Sequence, residues 1–227
     1  MSPLSRRKFI YLAAAMPVMC RFPAMAAASS GIASAVEYPR TISIIQRACR
    51  AEKIAAKHYI GFTEQALQEQ YPNIAYLFHA FSFSEQIHAD NYRDILTDLG
   101  RRTENPPFSV EISDTRSNLK TAAAKELDKI KSFYPGLLQE LETESCEAAI
   151  ISCMYAWKSH QQHEEKARQI LHYAGLFFGS VAGEIEGLRL DFHVCRICGS
   201  TIDEKPHAPC TICNRSLSNY NRIQRPA

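Results

Sequence analysis

Phe78-His79-Ala80-Phe81-Ser82-Phe83-Ser84-Glu85-Gln86-Ile87-His88-Ala89-Asp90-Asn91-Tyr92 is the stretch on which the reading of this chain turns. Phe78, Phe81, Glu85, His88 and Tyr92 follow steps of three and four, which place side chains on one face of an α-helix. That face is apolar at both ends and carries an acid and an imidazole in its middle. A carboxylate turned into a core costs several kcal/mol unless a cation or hydrogen bonds compensate it. The question is what compensates this one.

Outward from this segment, residues 40–178 keep the helical period and show no strand-like alternation. Four long helices fit, over about residues 41–69, 72–99, from Asp114 or Ser117 onward, and about 144–178. Pro72 suits a first turn and Gly100 a helix end. The connection 101–115, with Asn105-Pro106-Pro107, is long enough to cross a bundle from end to end. Tyr134-Pro135 predicts a kink or break in the third helix. The fold class is therefore an all-α four-helix bundle.

Every helix has the same kind of interruption. Glu52 lies on the apolar stripe of the first with Cys49 and Ala56. The third offers Ala122, Ala123, Glu126, Lys129 and Ile130, and the fourth Cys153, Ala156, Trp157, His160 and His163. Four-helix carboxylate metal sites use a Glu on each of two helices and a Glu-x-x-His pair on each of the others. Glu52, Glu85-x-x-His88, Glu126 and His160-x-x-His163 match that pattern in five of six slots, so a metal is the expected partner of the buried acids. Glu64, Glu69, Glu140, Glu142, Glu144, Glu164, Glu165 and His172 read as solvated surface residues.

The tail carries two CxxC pairs, Cys195-Arg196-Ile197-Cys198-Gly199 and Cys210-Thr211-Ile212-Cys213. Their spacing closes four thiolates around one ion, with Gly199 letting the chain turn away. Tetrahedral four-sulfur sites hold zinc or iron, so a structural ribbon and a redox centre are both open on spacing alone. Of the other cysteines beyond the leader, Cys146 and Cys153 are seven apart on one helix. Their separation of about 10 Å along the axis exceeds the ~7 Å limit for a disulfide, and with Cys49 they are expected as buried thiols.

Residues 1–35 contain Arg6, Arg7, Lys8 and Arg21, no acid, and an apolar stretch too short to span a bilayer. They read as a cleavable export signal. Ser5-Arg6-Arg7-Lys8-Phe9-Ile10 resembles the bacterial twin-arginine signal, which implies export to the periplasm. Without the leader, 22 basic residues face 24 acidic ones, net −2, and nothing advertises nucleic-acid binding. The expected organisation is a signal at 1–35, the bundle at 36–180, a linker at 181–192 and a cysteine domain at 193–227.

The whole resembles the rubrerythrin family, a ferritin-like di-iron bundle followed by a rubredoxin-like domain. The resemblance rests on Ala51-Glu52 with Tyr59, Glu85-Gln86-Ile87-His88-Ala89, the run from Ser117 to Glu126 followed by Tyr134-Pro135, His163-Glu164-Glu165, and the stretches from Phe192 to Gly199 and Ala208 to Cys213. It implies Glu52, Glu85, His88 and Glu126 as iron ligands, with Tyr59 and Tyr134 hydrogen-bonded to ligand carboxylates. It also implies a homodimer in which one subunit's cysteine-bound iron lies near the partner's di-iron centre. Two positions depart from the family: Lys129 stands where a further Glu is expected, and His160 replaces the fourth-helix Glu. The Lys129 ammonium must then deprotonate, swing away or stand in a vacant metal position.

The activity implied is reduction of hydrogen peroxide at the bundle metals, with iron at the four-cysteine site relaying electrons from an unidentified donor, and with Lys129, at a lowered pKa, donating a proton. The competing expectation is a metal-binding or electron-transfer protein with an altered, mononuclear bundle site and no peroxidase turnover. Zinc is the alternative metal at either site.

Overall fold

The computed structural model describes residues 38–103, 107–174, 182–183 and 185–227. The expected export signal lies outside the described residues, as do Asn105 and Pro106 of the crossing connection and residues 175–178 at the expected end of the fourth helix. The bundle is built from α1 (Pro39–Gln68), α2 (Pro72–Asp98), α3 (Thr115–Asp128) running through a π-turn (Lys129–Phe133) into α4 (Tyr134–Leu141), and α5 (Glu147–Ala174). Three short strands follow, β1 (His193–Cys195), β2 (Thr201–Ile202) and β3 (Tyr220–Arg222), in an antiparallel sheet of order β2-β1-β3.

The helix ends follow local chemistry. Pro39 and Pro72 sit in the first turns of α1 and α2, where a missing N–H costs nothing. The free N–H groups there are satisfied from a distance. Glu144 accepts from Arg40 N and Thr41 N at 3.0 and 2.8 Å, and Glu186 accepts from Asn73 N and Ile74 N. Both carboxylates sit at the positive end of a helix dipole. Glu144, expected as a solvated surface residue, is thus a cap. Asp114 caps α3 by accepting from Ser117 N at 2.9 Å. Gly100, with φ of 70°, ends α2, and Arg101 N reaches back to Leu96 O.

The kink expected at Tyr134-Pro135 takes the form of the π-turn. Tyr134 N bonds Lys129 O, five residues back. The next carbonyl, Ile130 O, would look to Pro135 five residues on, which has no N–H, and takes its hydrogen from Trp157 Nε1 at 2.9 Å instead. The wider turn brings residues five apart into line. As a result Glu126, Lys129 and Tyr134 all point into the bundle.

Among the described residues two apolar clusters fill the bundle, and a third surrounds the four tail cysteines. One contains Ile45, Cys49, Tyr92, Leu96, Tyr134, Leu137 and Cys153. The other contains Tyr59, Phe62, Phe78 and Phe81, and it extends without a break to Ala182, Ile185, Phe192, Val194 and Ile223. The segment read as a linker is therefore packed against the bundle where it is described. Tyr76 ties the parts together: its hydroxyl donates to Ile223 O at 2.7 Å and accepts from Phe192 N at 3.0 Å. The acids and imidazoles of the four helices lie between the two apolar clusters. No helix among the described residues is long and apolar enough to cross a membrane.

Candidate metal centre

Glu52 from α1, Glu85 and His88 from α2, Glu126 from α3 and His160 and His163 from α5 converge, every one of them buried. Their ligand atoms form two overlapping groups, Glu52–Glu85–His88–His160 and Glu85–Glu126–His160–His163, with the atoms of each group within 4.8 Å of one another. Helical steps of three and four predict the inward direction of each residue, and the bundle brings them to one point.

The tyrosines stand where the resemblance implies. Tyr59 donates to Glu126 Oε1 at 2.5 Å, and Tyr134 donates to Glu52 Oε1. Burial, and then the neighbouring carboxylates, push both phenols well above their ordinary pKa, so they keep their hydrogens. Tyr92 extends this network by donating to Tyr134 Oη at 3.1 Å. Its place on the stripe of α2 is the only sequence signal for that role.

Lys129 Nζ lies 2.5 Å from Glu52 Oε2 and 3.1 Å from Glu85 Oε2. Burial pulls its pKa down, but Glu52 and Glu85 outweigh burial and hold it above the ordinary lysine value. Two carboxylates touching the ammonium are the cause, and without metal the shift runs opposite to the lowered pKa expected beside metals. His160 bridges Glu126 Oε2 at 2.7 Å and Glu52 Oε1 at 3.3 Å. Burial and Lys129 both push it down, yet Glu85, Glu126 and Glu52 raise it to about 10. Glu126 is the converse: burial raises it, and the charge and hydrogen bond of His160 bring it below the usual carboxylate range.

The donor set fits a metal in one respect that needs no resemblance. Glu85 Oε1 and His163 Nδ1 are buried without a hydrogen-bond partner and lie 3.4 Å apart. The opposite nitrogen of His163 meets Thr201 Oγ1 at 3.2 Å, and the ring stacks on Phe81. With Nε2–H donated to Thr201, Nδ1 is aimed at Glu85 and Glu126, which outweigh burial and raise the ring's pKa, and contacts of the Thr201 kind orient a ligand histidine. His88 is fixed more firmly: Nε2 lies 3.1 Å from Cys198 O, a pure acceptor, so Nε2 carries the hydrogen and Nδ1 faces Glu85.

In the tail, Cys195 and Cys213 sulfurs are 3.7 Å apart and those of Cys198 and Cys210 3.5 Å. A tetrahedron with metal–sulfur bonds of about 2.3 Å sets sulfurs about 3.8 Å apart, whereas a disulfide needs about 2.05 Å. The four thiols are arranged for an ion. Cys49, Cys146 and Cys153 are buried and free, as expected, and burial drives the Cys153 thiol up to about 12.

The cysteine knuckle sits directly on the bundle. Gly199 O accepts from Ser84 Oγ at 2.7 Å and Ser159 Oγ at 3.0 Å, and Asn91 Nδ2 donates to Ile197 O at 2.9 Å. Gly199 adopts φ of 77°, and a Cβ on it would overlap the His88 ring and Ser84 Oγ. This contact is made within one chain, so proximity of the two centres does not require a partner subunit. Ser84, Ser159 and Asn91 carry no sequence signal for it, because an isolated small polar residue on a helix is uninformative.

On the α1–α3 side, a cleft of about 550 Å³ lined by Ala51, Ala55, His58, Ala122, Lys125 and Phe133 reaches Tyr59, Glu126 and Lys129. Small side chains on both helices open it.

Comparison with known proteins agrees with this geometry. The rubrerythrin family model matches residues 43–171. Rubrerythrin-2 of Clostridium acetobutylicum is 27% identical over 190 residues, covering 78% of this chain and 94% of that protein. Nigerythrin of Nitratidesulfovibrio vulgaris is 23% identical over 182 residues, covering 79% of this chain and 85% of that one. A solved nigerythrin in a mixed-valence state shares the fold with a TM-score of 0.69 at 22% identity, covering 92% of this chain and 100% of that one. A Desulfovibrio desulfuricans bacterioferritin shares it at TM-score 0.60 and 16% identity, over 66% of this chain and 88% of that one. Iron, the metal expected at both centres, is the cofactor this kinship carries. With the family model spanning more than half of its length and the ligand residues gathered as described, the chain belongs to the rubrerythrin family.

Proposed function

We propose that this chain is a non-haem iron oxidoreductase that reduces hydrogen peroxide in the bundle, with electrons relayed through an iron held by Cys195, Cys198, Cys210 and Cys213. The observation that carries the reading is the His88 ring, which joins Cys198 O at 3.1 Å through Nε2 to Glu85 Oε2 at 3.4 Å through Nδ1 and so links a knuckle ligand to a bundle donor. Iron at the two centres supplies the electrons, and peroxide takes two of them with two protons to give two waters. The nigerythrin relative has been solved in mixed-valence and all-ferrous states, which supports iron that changes oxidation state in this fold.

The chain's own residues serve that chemistry as follows. Glu52, Glu85, His88, Glu126, His160 and His163 line the bundle site. Tyr59 and Tyr134 hold protons on the carboxylates Glu126 and Glu52, where a ligand acid can receive them. Lys129 keeps its ammonium on Glu52 and Glu85 beside the cleft, which admits a molecule of peroxide's size from solvent. Ser84, Ser159 and Asn91 fix the knuckle at its hydrogen-bonded distance from the bundle. A homodimer, implied by the family resemblance, belongs to the proposal, and so does export to the periplasm, carried by Arg6-Arg7 and the acid-free leader. Export is checked by cell fractionation of the wild type against Arg6→Lys/Arg7→Lys, and retention of both proteins in the cytoplasm would refute it.

The test is peroxide consumption by the iron-loaded full chain with a chemically reduced donor. The wild type is expected to turn over repeatedly and Glu126→Ala to lose at least about a hundredfold in rate, the scale of removing a group that holds and protonates the reacting centre. Consumption by the wild type no faster than free iron overturns the proposal. The second reading, a metal-binding or electron-transfer protein without turnover, is favoured by the position of Lys129 among the ligands.

A further inference from the structure

The two candidate ion positions in the bundle are not equivalent. They share Glu85 and His160, and one adds Glu52 and His88, the other Glu126 and His163. Lys129 Nζ is 2.5 Å from Glu52, 3.1 Å from Glu85 and 3.4 Å from His160, so it touches three of the four members of the first group. The two unpartnered atoms, Glu85 Oε1 and His163 Nδ1, belong to the second. One position is already filled by a cation of the chain itself, and the other holds the two donor atoms that make no hydrogen bond.

We propose that the Lys129 ammonium is a built-in cation that replaces one of the two bundle metals, so that the bundle takes a single divalent ion between Glu85, Glu126, His160 and His163. Charge supports the count. Three buried carboxylates balance one ammonium and one dication with neutral histidines. A second dication would leave an excess of two positive charges in a water-excluded pocket, which is strongly unfavourable. Geometry supports it as well: Lys129 starts the π-turn whose widened spacing sets Tyr134 against the same Glu52, so the ammonium and the phenol hold the two oxygens of one carboxylate. The inference rests on the bundle being an iron site and not on peroxide being the substrate.

The experiment counts iron in the full chain, loaded with excess ferrous ion without oxygen, desalted and assayed by elemental analysis. The cysteine-bound iron is counted separately by its visible absorption once oxidised. The wild type is expected to hold two irons per chain, one in each centre, and after oxidation by ferricyanide to give the signals of two isolated high-spin ferric ions in electron paramagnetic resonance, one from each centre. Lys129→Glu and Lys129→Met are expected to hold three, and either variant suffices should the other not fold. Three irons in the wild type, a bundle count of zero, or two irons unchanged in a folded variant would each overturn the proposal. A chain with two irons that consumes no peroxide defeats the function proposed above and leaves this inference standing; three irons with turnover does the reverse.

Discussion

Replacing Lys129 with Met in the metal-free protein removes the charge, keeps a side chain of similar length, and leaves Glu52 and Glu85 buried with the imidazoles of His160, His163 and His88 beside them. Breaking a buried ion pair by deleting one partner costs about 3–5 kcal/mol, because the abandoned charge stays desolvated. Lys129 is 8% exposed and both carboxylates 0%, so solvent screening does little to reduce that figure. For a domain of this size each kcal/mol lowers the melting temperature by about 2–4 °C, which sets the expected loss at roughly 6–20 °C. Loading the variant with a divalent metal should recover most of that loss, since a second ion then stands where the ammonium stood. Urea and thermal unfolding at pH 7, with and without metal, measure both parts. A loss below about 1 kcal/mol, the range of an exposed pair, or a loss of equal size in the metal-loaded protein, would refute the reasoning.

Other outcomes follow from the same contacts. His160 rises to about 10 in the fold from an ordinary value of 6.5, so its protonation stabilises the metal-free chain fully below pH 6.5, and that contribution is lost as pH climbs toward 10. Glu85 and Glu126 are held low, so their contribution is present above about pH 4.5 and is lost on acidification. Urea midpoints across this range should fall on the alkaline side, and the slope should flatten in His160→Gln. Because a metal must displace the His160 proton, bundle affinity measured by competition with a chelator should increase about tenfold per pH unit between 7 and 9. Tyr134→Phe removes the hydroxyl that donates to Glu52 Oε1 and accepts from Tyr92, leaves His160 Nε2 at 3.3 Å on that carboxylate oxygen, and should cost about 1–3 kcal/mol in urea unfolding. Gly199→Ala forces the knuckle away from His88 and Ser84; donor-driven peroxide turnover should fall while the visible spectrum of the cysteine-bound iron is unchanged.

The bundle and its ligands were legible in sequence because both obey one rule, the helical period. Glu85 and His88 declare their direction through Phe78, Phe81 and Tyr92, and the same holds for Glu52, Glu126, His160 and His163. Tyr134-Pro135 signals a disturbance, but the π-turn that results depends on Trp157, twenty-seven residues away, supplying the hydrogen that Ile130 O lacks. Lys129 is visible as a departure, while its state is not, since a lysine pKa is set by which carboxylates reach it in space. The docking of the knuckle was illegible for a similar reason: Ser84, Ser159 and Asn91 act on carbonyls 115, 40 and 106 residues away, and Gly199 reads as a simple turn glycine until the His88 ring is seen against it. The three strands are too short for any alternation to show.

The claim on which the rest depends is that acids and imidazoles from separate helices share a bound ion beside a four-thiolate centre. Anomalous scattering at the iron edge, from crystals of the iron-loaded full chain, tests it most directly. The account predicts two peaks per chain, one inside the four cysteine sulfurs and one among Glu85, Glu126, His160 and His163, with Lys129 Nζ still on Glu52. A filled cysteine site with no peak in the bundle would contradict it.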